Sequence, residues 1–185
     1  MGIRTKDKFT KRALAEGYLA RSVYKLKDIQ KRFKIIRKDN KVLDLGAAPG
    51  SWSQLAVEWG AEVDSIDLNK VKFGTWIEAD VMSDKIFDIL KDKNYDVVLS
   101  DLAPKTIGIR KIDNELSYDL CTRALEIANK KLNRGGFFVC KLFESEWFKP
   151  FVKDAKKIFK DVKVYKPEGS KKKSTEMYII GIRKK

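Results

Sequence analysis

The chain has 185 residues, 43% of them apolar, which predicts a single globular domain spanning residues 1–185. It contains no histidine, which excludes Ser-His-Asp and Cys-His catalysis and every histidine-based metal site, so Lys, Asp, Glu and Tyr remain to move protons. The formal net charge of +14 favours a polyanionic partner.

The first half of the chain alternates predicted helices and strands. Apolar residues recur at helical spacing over 20–33, and Lys25 lies at the margin of that apolar stripe. A short buried strand then runs into a glycine-containing loop, Gly46 to Gly50, which is typical of a strand-turn-helix unit. The predicted elements are a helix over 20–33, a strand over 41–45, a helix from 51 that stops at 60, strands ending near 66–67 and 78, and a helix over 84–91.

The second half continues this alternation and ends in a predicted hairpin. Pro104 blocks a simple continuation of the strand before it. A long helix follows, which we expect Gly135 and Gly136 to end, and its shared apolar face holds Leu116, Leu120, Ala124, Ile127, Ala128 and Leu132. The other predicted elements are strands at 95–100 and 137–143, a helix at about 147–159, and strands at 161–166 and 176–182.

Repeated strand-helix units predict an α/β fold. The sheet would be seven-stranded and mostly parallel, with helices on both faces and a C-terminal antiparallel hairpin. Ligands of such folds bind beyond the carboxyl ends of the strands. Four acidic residues fall at or near those ends and are expected on one rim, namely Asp44, Asp67, Asp80 and Asp101.

The glycine loop indicates a cofactor that contains a nucleoside. Gly46 and Gly50 let backbone approach a ligand closely, and Asp67 lies at a spacing suited to ribose hydroxyls. The loop lacks the GxGxxG pattern, which makes NAD the less favoured cofactor. Two simpler interpretations remain: the glycines serve only strand-to-helix packing, and Asp80 caps a turn instead of binding a base amine.

Lys141 lies within the apolar stretch FFVCKLF. A lysine there either extends to solvent or takes part in chemistry. Taken singly, Lys25, Asp101 and Glu176 are better explained as surface or capping charges. Together on one rim, the two lysines would repel each other and favour loss of a proton from one of them, while the carboxylates hold the geometry. The set would supply a base to a chain without imidazole.

The basic excess lies at the two ends of the chain. Residues 1–40 carry 13 basic and 4 acidic residues, and residues 141–185 carry 14 and 6, whereas the middle carries 13 and 16. Runs such as Lys171–Lys173 are often only solvated loops. If both ends fold to one side, they form a stripe that follows a phosphate backbone, which predicts a nucleic acid as the partner.

Several features bear on the compartment and on the core. Cys121 and Cys140 lack the CxxC spacing of redox or zinc sites, so we expect two small core residues in a reduced, cytoplasmic protein. No apolar run approaches the length of a membrane span, and the start lacks a signal-peptide core. Trp52 abuts the glycine loop and either packs in the core or lines a cofactor pocket.

Five segments together resemble one family. They are ARSVYKL (20–26), VLDLGAAPGSWSQ (42–54), SDLAP (100–104), VCKLF (139–143) and KKSTEMYII (172–180). In this order they are similar to the FtsJ (RrmJ-type) RNA 2′-O-ribose methyltransferases, over about residues 12–182. The resemblance implies a Rossmann-like methyltransferase sheet, S-adenosylmethionine as methyl donor, and a monomer without a metal.

The resemblance also implies roles for individual residues. Lys25, Asp101, Lys141 and Glu176 would form a catalytic tetrad. Gly50, Trp52, Asp67, Asp80 and Asp101 would contact the cofactor, with Gly46 shaping the loop. Two departures are Ser51, where many members have a second glycine, and ESEWF (144–148), which replaces a glycine-containing stretch and bears on the choice of target nucleotide.

The implied substrate is a uridine ribose of large-subunit ribosomal RNA. Transfer RNA is the alternative within the same chemistry. A noncatalytic RNA-binding protein and an NAD-dependent oxidoreductase are the alternatives from other classes.

Overall fold

The computed structural model describes residues 8–168, 170 and 174–185. The predicted lysine run 171–173 therefore lies outside the described residues. The helices of the described part are α1 (Lys8–Ala15), α2 (Val23–Phe33), α3 (Ser51–Glu58), α4 (Lys85–Ile89), α5 (Arg110–Lys131) and α6 (Phe148–Ile158). Its strands are β1 (Lys41–Leu45), β2 (Glu62–Asp67), β3 (Thr75–Glu78), β4 (Tyr95–Ser100), β5 (Leu132–Phe143), β6 (Phe159–Tyr165) and β7 (Glu176–Lys184).

The strands form a seven-stranded sheet in the order β3-β2-β1-β4-β5-β7-β6. The five strands from β3 to β5 run parallel, and β7 is antiparallel to both of its neighbours. The predicted α/β fold, with a largely parallel sheet and a C-terminal antiparallel hairpin, is confirmed. Since β7 is reversed, its first residue, Glu176, pairs with Phe143 at the carboxyl end of β5.

Strand alternation divides the core between the two faces of the sheet. One face packs against α4, α5 and α6 through residues such as Phe138 and Ile179. The other face packs against α1, α2 and α3 through residues such as Val139 and Tyr178. Because successive side chains in a strand point to opposite faces, Lys141 and Glu176 share the face of α2.

The expected end of the long helix was wrong. Helix α5 ends at Lys131, and Leu132 begins β5, where it pairs with Tyr95. The strand therefore starts five residues before its predicted start at 137, with an irregular register between Tyr95 and Val97. Gly135, at φ +82°, lies inside this strand and does not cap a helix. An apolar residue at helical spacing fits a buried strand equally well, so periodicity alone could not separate the two at Leu132.

The two basic ends do not pack on one face. Helices α1 and α2 cover one side of the sheet, and α6 covers the opposite side. They approach each other around the β6 edge, where Asp28 of α2 accepts hydrogen bonds from Tyr165 Oη at 2.8 Å and from Glu168 N at 2.9 Å. A continuous basic stripe would therefore run around this edge instead of along one face.

Helix α1 was not predicted. Its sequence, KFTKRALA, has one buried residue, Ala13, and too few apolar positions to reveal a helical period. Within the described part of the chain, no helix has both the length and the apolar character needed to cross a bilayer.

Candidate active site

Lys141 reaches the loop that follows β4. Its Nζ donates to the carbonyl oxygen of Asp101 at 2.7 Å and lies 3.1 Å from the Asp101 carboxylate Oδ1. The lysine side chain is only 5% exposed. A buried ammonium or amine is tolerated when such partners satisfy it, so β5 holds this nitrogen at a defined position at the carboxyl end of β4.

Lys25 and Glu176 form the second pair of the site. Lys25 Nζ lies 2.9 Å from Glu176 Oε2, and the lysine side chain is 8% exposed. The sequence placed Lys25 at the margin of an apolar stripe, and the structure buries it beneath β7. A helix residue and a strand residue 151 positions apart are thus brought together.

The electrostatics of Glu176 link the two pairs. Burial opposes ionisation of this carboxyl group, but the charges of Lys25 and Lys141 and hydrogen bonds from Lys25 and Ser174 outweigh it. The pKa of Glu176 therefore lies below its ordinary value. Since both lysines act on the same carboxylate, the four predicted residues form one connected cluster.

Tyr178 lies at the centre of this cluster, and sequence reasoning missed it. Its hydroxyl donates to Asp101 Oδ1 at 2.6 Å, its ring lies 5.5 Å from Lys25 Nζ, and it packs against Trp52 with ring centroids 5.9 Å apart. Burial, together with the nearby Asp101 carboxylate, raises the pKa of Tyr178 well above its ordinary value. The signal was available, because strand alternation puts Tyr178 on the same face as Glu176 two residues earlier.

The glycine loop packs against the end of β2. Gly46 N and Ala47 N both donate to the carbonyl oxygen of Ile66, and Ala48 N donates to Asp67 Oδ2 at 3.0 Å. Gly46 has φ +70°, and a Cβ built there would lie 2.2 Å from Leu102 Cδ2. A side chain at position 46 would therefore clash with the Leu102 side chain and strain a backbone at positive φ, which explains why glycine is favoured here.

A small cavity beside this loop is lined both by residues of the glycine loop and by Asp101 of the lysine–carboxylate cluster. It has a volume of about 40 Å³ and is lined by Ser22, Asp44, Gly46, Ala47, Ala48, Pro49, Ser51, Trp52 and Asp101. Trp52 Nε1 donates to the carbonyl oxygen of Ser22 at 2.9 Å, so its indole ring both packs in the core and borders the cavity. Ser51 Oγ is buried with no hydrogen-bond partner among the described residues.

Asp44 is the buried carboxyl group of this cavity. It is 1% exposed and accepts a hydrogen bond from Ser53 Oγ at 2.7 Å. Burial and the charges of Asp101 and Asp67 together raise its pKa to about 7, although the Ser53 hydrogen bond opposes them. The carboxylates of Asp101 and Asp67, whose charges act on Asp44, favour a cationic ligand in this region.

Asp67 and Asp80 lie at the ends of two adjacent strands. Asp67 ends β2, and its Oδ1 accepts from Asn69 N at 2.8 Å. Asp80 follows β3, and its Oδ1 accepts from Met82 N at 2.9 Å. Both carboxylates stabilise local turns, as the simpler interpretation expected for Asp80, and both retain lone pairs for a ligand. Beside Asp80 lies a separate cavity of about 420 Å³.

A model of the FtsJ-like methyltransferase family matches residues 18–184, and the chain belongs to that family. The resemblance drawn from the five sequence segments is confirmed. Relatives named ribosomal RNA large subunit methyltransferase E are similar along their whole length. The one from Bdellovibrio bacteriovorus is 40% identical over 196 residues and covers 100% of both chains. The one from Wolbachia pipientis is 39% identical over 183 residues, covering 95% of this chain and 94% of its own.

Solved structures share the fold. A protein from Plasmodium falciparum described as a ribosomal RNA methyltransferase superposes with a TM-score of 0.79 at 24% identity, covering 90% of this chain and 98% of its own. A methyltransferase from Streptococcus mutans, in complex with SAH, has a TM-score of 0.51 at 14% identity, covering 82% of this chain and 90% of its own. At such identities the likeness extends to the fold alone.

Proposed function

We propose that this protein is an S-adenosylmethionine-dependent RNA 2′-O-ribose methyltransferase. The observation that carries the proposal is the cluster in which Lys141 contacts Asp101 and Lys25 contacts Glu176, beside the glycine loop. It provides an amine within reach of a hydroxyl substrate in a chain without histidine.

The residues present fit the methyl donor. Gly46 and Gly50 keep the loop backbone open, and the buried Ser51 Oγ, unpaired among the described residues, is available as a donor beside Asp44 and Asp101. Asp67 would accept from the ribose hydroxyls, and Asp80 from the base amine. Membership of a methyltransferase family and the SAH in one structural neighbour both support this assignment.

The proposed chemistry needs positioning and one proton acceptor. When bound, S-adenosylmethionine supplies a methyl group activated by the positive charge on sulfur. Lys141 Nζ would accept the proton that a ribose 2′-hydroxyl loses while the hydroxyl oxygen bonds to the methyl carbon, whose bond to sulfur breaks with its electron pair going to sulfur. The carbonyl and carboxylate of Asp101 hold Nζ in place, and Tyr178 fixes that carboxylate through its 2.6 Å hydrogen bond.

Glu176 and Lys25 would act around that amine. Glu176 holds Lys25 through the 2.9 Å ion pair, and its charge also acts on Lys141. Held by Glu176, the Lys25 ammonium would contact the ribose or a phosphate of the substrate. The substrate must therefore enter between α2 and the loop after β4.

RNA is the substrate that this chemistry and charge favour. The reaction needs a 2′-hydroxyl, which RNA has and DNA lacks. The basic ends would bind its backbone around the β6 edge, including Lys149, Lys153 and Lys156 of α6. The names of the relatives support large-subunit ribosomal RNA as the substrate. Within it the proposed target is a uridine ribose, and transfer RNA is the alternative substrate of the same reaction.

The proposal is tested with methyl-labelled donor and RNA from a strain lacking the protein. We expect label in one ribose 2′ position of the large-subunit RNA, mapped as a site resistant to alkaline hydrolysis. Label only in transfer RNA would favour the alternative substrate. Binding of RNA without transfer would indicate a binding protein, and thermal stabilisation by NAD but not by S-adenosylmethionine would indicate an oxidoreductase.

A further inference from the structure

Arg123, in the middle of α5, lies away from the tetrad and is bound to one turn of the chain. Its side chain is 9% exposed. Nε donates to the carbonyl oxygen of Val81 at 2.9 Å, and Nη2 donates to the carbonyl oxygen of Ser83 at 2.8 Å. Nη2 also donates to Asp84 Oδ1 at 2.9 Å. Three acceptors of the guanidinium therefore come from a single short segment.

That segment is the turn that begins with Asp80, here named the Asp80 turn (residues 80–84). Asp80 starts it through two bonds of its own: its Oδ1 accepts from Met82 N at 2.9 Å, and its carbonyl oxygen accepts from Ser83 N at 3.1 Å. The residues that donate to Asp80 are thus Met82 and Ser83, and the guanidinium binds the carbonyls of Val81 and Ser83 from the other side. A movement of the Arg123 side chain would therefore shift the backbone that orients Asp80.

Burying a guanidinium group on a packed helix is energetically less favourable than burying an aliphatic side chain. Removing the charge from water is unfavourable, and an aliphatic side chain in the same place would often be as stable. The arginine offers instead a planar set of donors that fixes several acceptors at once. Glu126, whose Oε2 accepts from Nη1 at 2.7 Å, and the Phe87 ring, 4.7 Å from Cζ, hold that plane in place.

We propose that Arg123 is a positioning residue for the methyl donor: it holds the Asp80 turn so that the Asp80 carboxylate faces the adenine amine. The cavity of about 420 Å³ beside the turn is lined by Asp80, Ser83, Leu68 and Ile86 among others, and it has room for a purine. The inference rests on the proposed function, because it takes S-adenosylmethionine to be the ligand of this cavity.

The test compares Arg123→Met with a matched control. Methionine keeps much of the packing and removes every donor. Lys130→Met is the control, because Lys130 also pairs with Glu126, at 3.0 Å, and lies 3.8 Å from the centroid of the same Phe87 ring. No bond of Lys130 to the Asp80 turn occurs among the described contacts. The probes are S-adenosylhomocysteine and its hypoxanthine analogue, in which oxygen replaces the adenine amine, with dissociation constants measured by calorimetry.

We expect Arg123→Met to weaken S-adenosylhomocysteine binding about tenfold and to reduce the preference for adenine over hypoxanthine, the usual scale for losing one well-placed hydrogen bond. The KM for the donor should rise while kcat at saturating donor changes little. Lys130→Met should match the wild type in both measurements, and Arg123→Lys should recover part of the adenine preference.

A lowered melting temperature with an unchanged adenine preference would overturn the proposal, because it would show a purely structural role. If Arg123→Met does not fold, Arg123→Lys and Asp84→Ala carry the same test, and an unchanged preference in both would overturn it equally. If the wild type binds neither probe, the proposed function itself has failed. Binding by the wild type with no effect in the variants refutes only the role of Arg123.

Discussion

Replacing Asp44 by asparagine tests the electrostatic account of the site. Asp44 is 1% exposed, and burial raises its pKa from an ordinary 3.8 to about 7. Because the folded state holds the proton to a higher pH than the unfolded chain, this contribution to stability is fully present below about pH 4 and is lost as the pH rises to about 7. A difference of about 3 pKa units corresponds to roughly 4 kcal/mol.

The assay is urea unfolding of the wild type and Asp44→Asn at pH 5 and pH 8, without cofactor. Asparagine does not titrate, so the variant lacks the loss of stability that the wild type undergoes between pH 5 and pH 8. The free energy of unfolding of Asp44→Asn, relative to that of the wild type, should therefore be about 3 kcal/mol higher at pH 8 than at pH 5. Asp39→Asn, at an exposed carboxylate, is the control and should differ from the wild type equally at both. A pH-independent difference for Asp44→Asn would show that the pKa of Asp44 is not raised in the folded state.

Three further predictions concern packing, the tetrad and RNA. In Gly181→Ala the new Cβ would lie 2.6 Å from the buried Phe159 ring, so we expect a loss of about 1–3 kcal/mol in urea unfolding, and a change near zero would contradict this packing. In Glu176→Gln the ion pair is lost, and we expect the variant to be destabilised more at pH 7 than at pH 3. The folded state lowers the pKa of Glu176, so the stability that its carboxylate contributes is present above the ordinary pKa of 4.5 and is lost as the pH falls. An equal loss of stability at both pH values would contradict this prediction. RNA affinity should fall with salt by about 0.7 log units per tenfold change and per phosphate neutralised, and a salt-independent affinity would exclude backbone binding.

The sequence was most informative where local chemistry and sheet topology agree. The strand 41–45, the glycine loop and the helix after it were predicted because buried strands, turn residues and helix stops each have a local signature. Parallel strands then explain why Asp44, Asp67, Asp80 and Asp101 share one rim. Fold class and rim could therefore be derived without coordinates.

The features that were missed depend on distant parts of the chain. The spacing of Leu132 fits a helix, and only its pairing with Tyr95 shows that it belongs to a strand. The side chain of Arg123 binds a turn 40 residues earlier, and nothing in its local sequence indicates this contact. Likewise, the sequence left open whether the two basic ends share one side, and their helices pack on opposite faces of the sheet. No local pattern encodes such contacts, because tertiary packing decides among locally equivalent conformations.

Lys141 is proposed to accept the proton of the ribose hydroxyl. This role is measured by single-turnover methyl transfer in Lys141→Ala. The control is Lys131→Ala, which removes a buried lysine whose Nζ donates to Leu90 and Lys91 carbonyls near the amino-terminal ends of β4 and β5. With both variants folded and binding S-adenosylhomocysteine, transfer by Lys141→Ala should fall about 100-fold or more while Lys131→Ala keeps the wild-type rate. Transfer at the wild-type rate by Lys141→Ala would contradict the account.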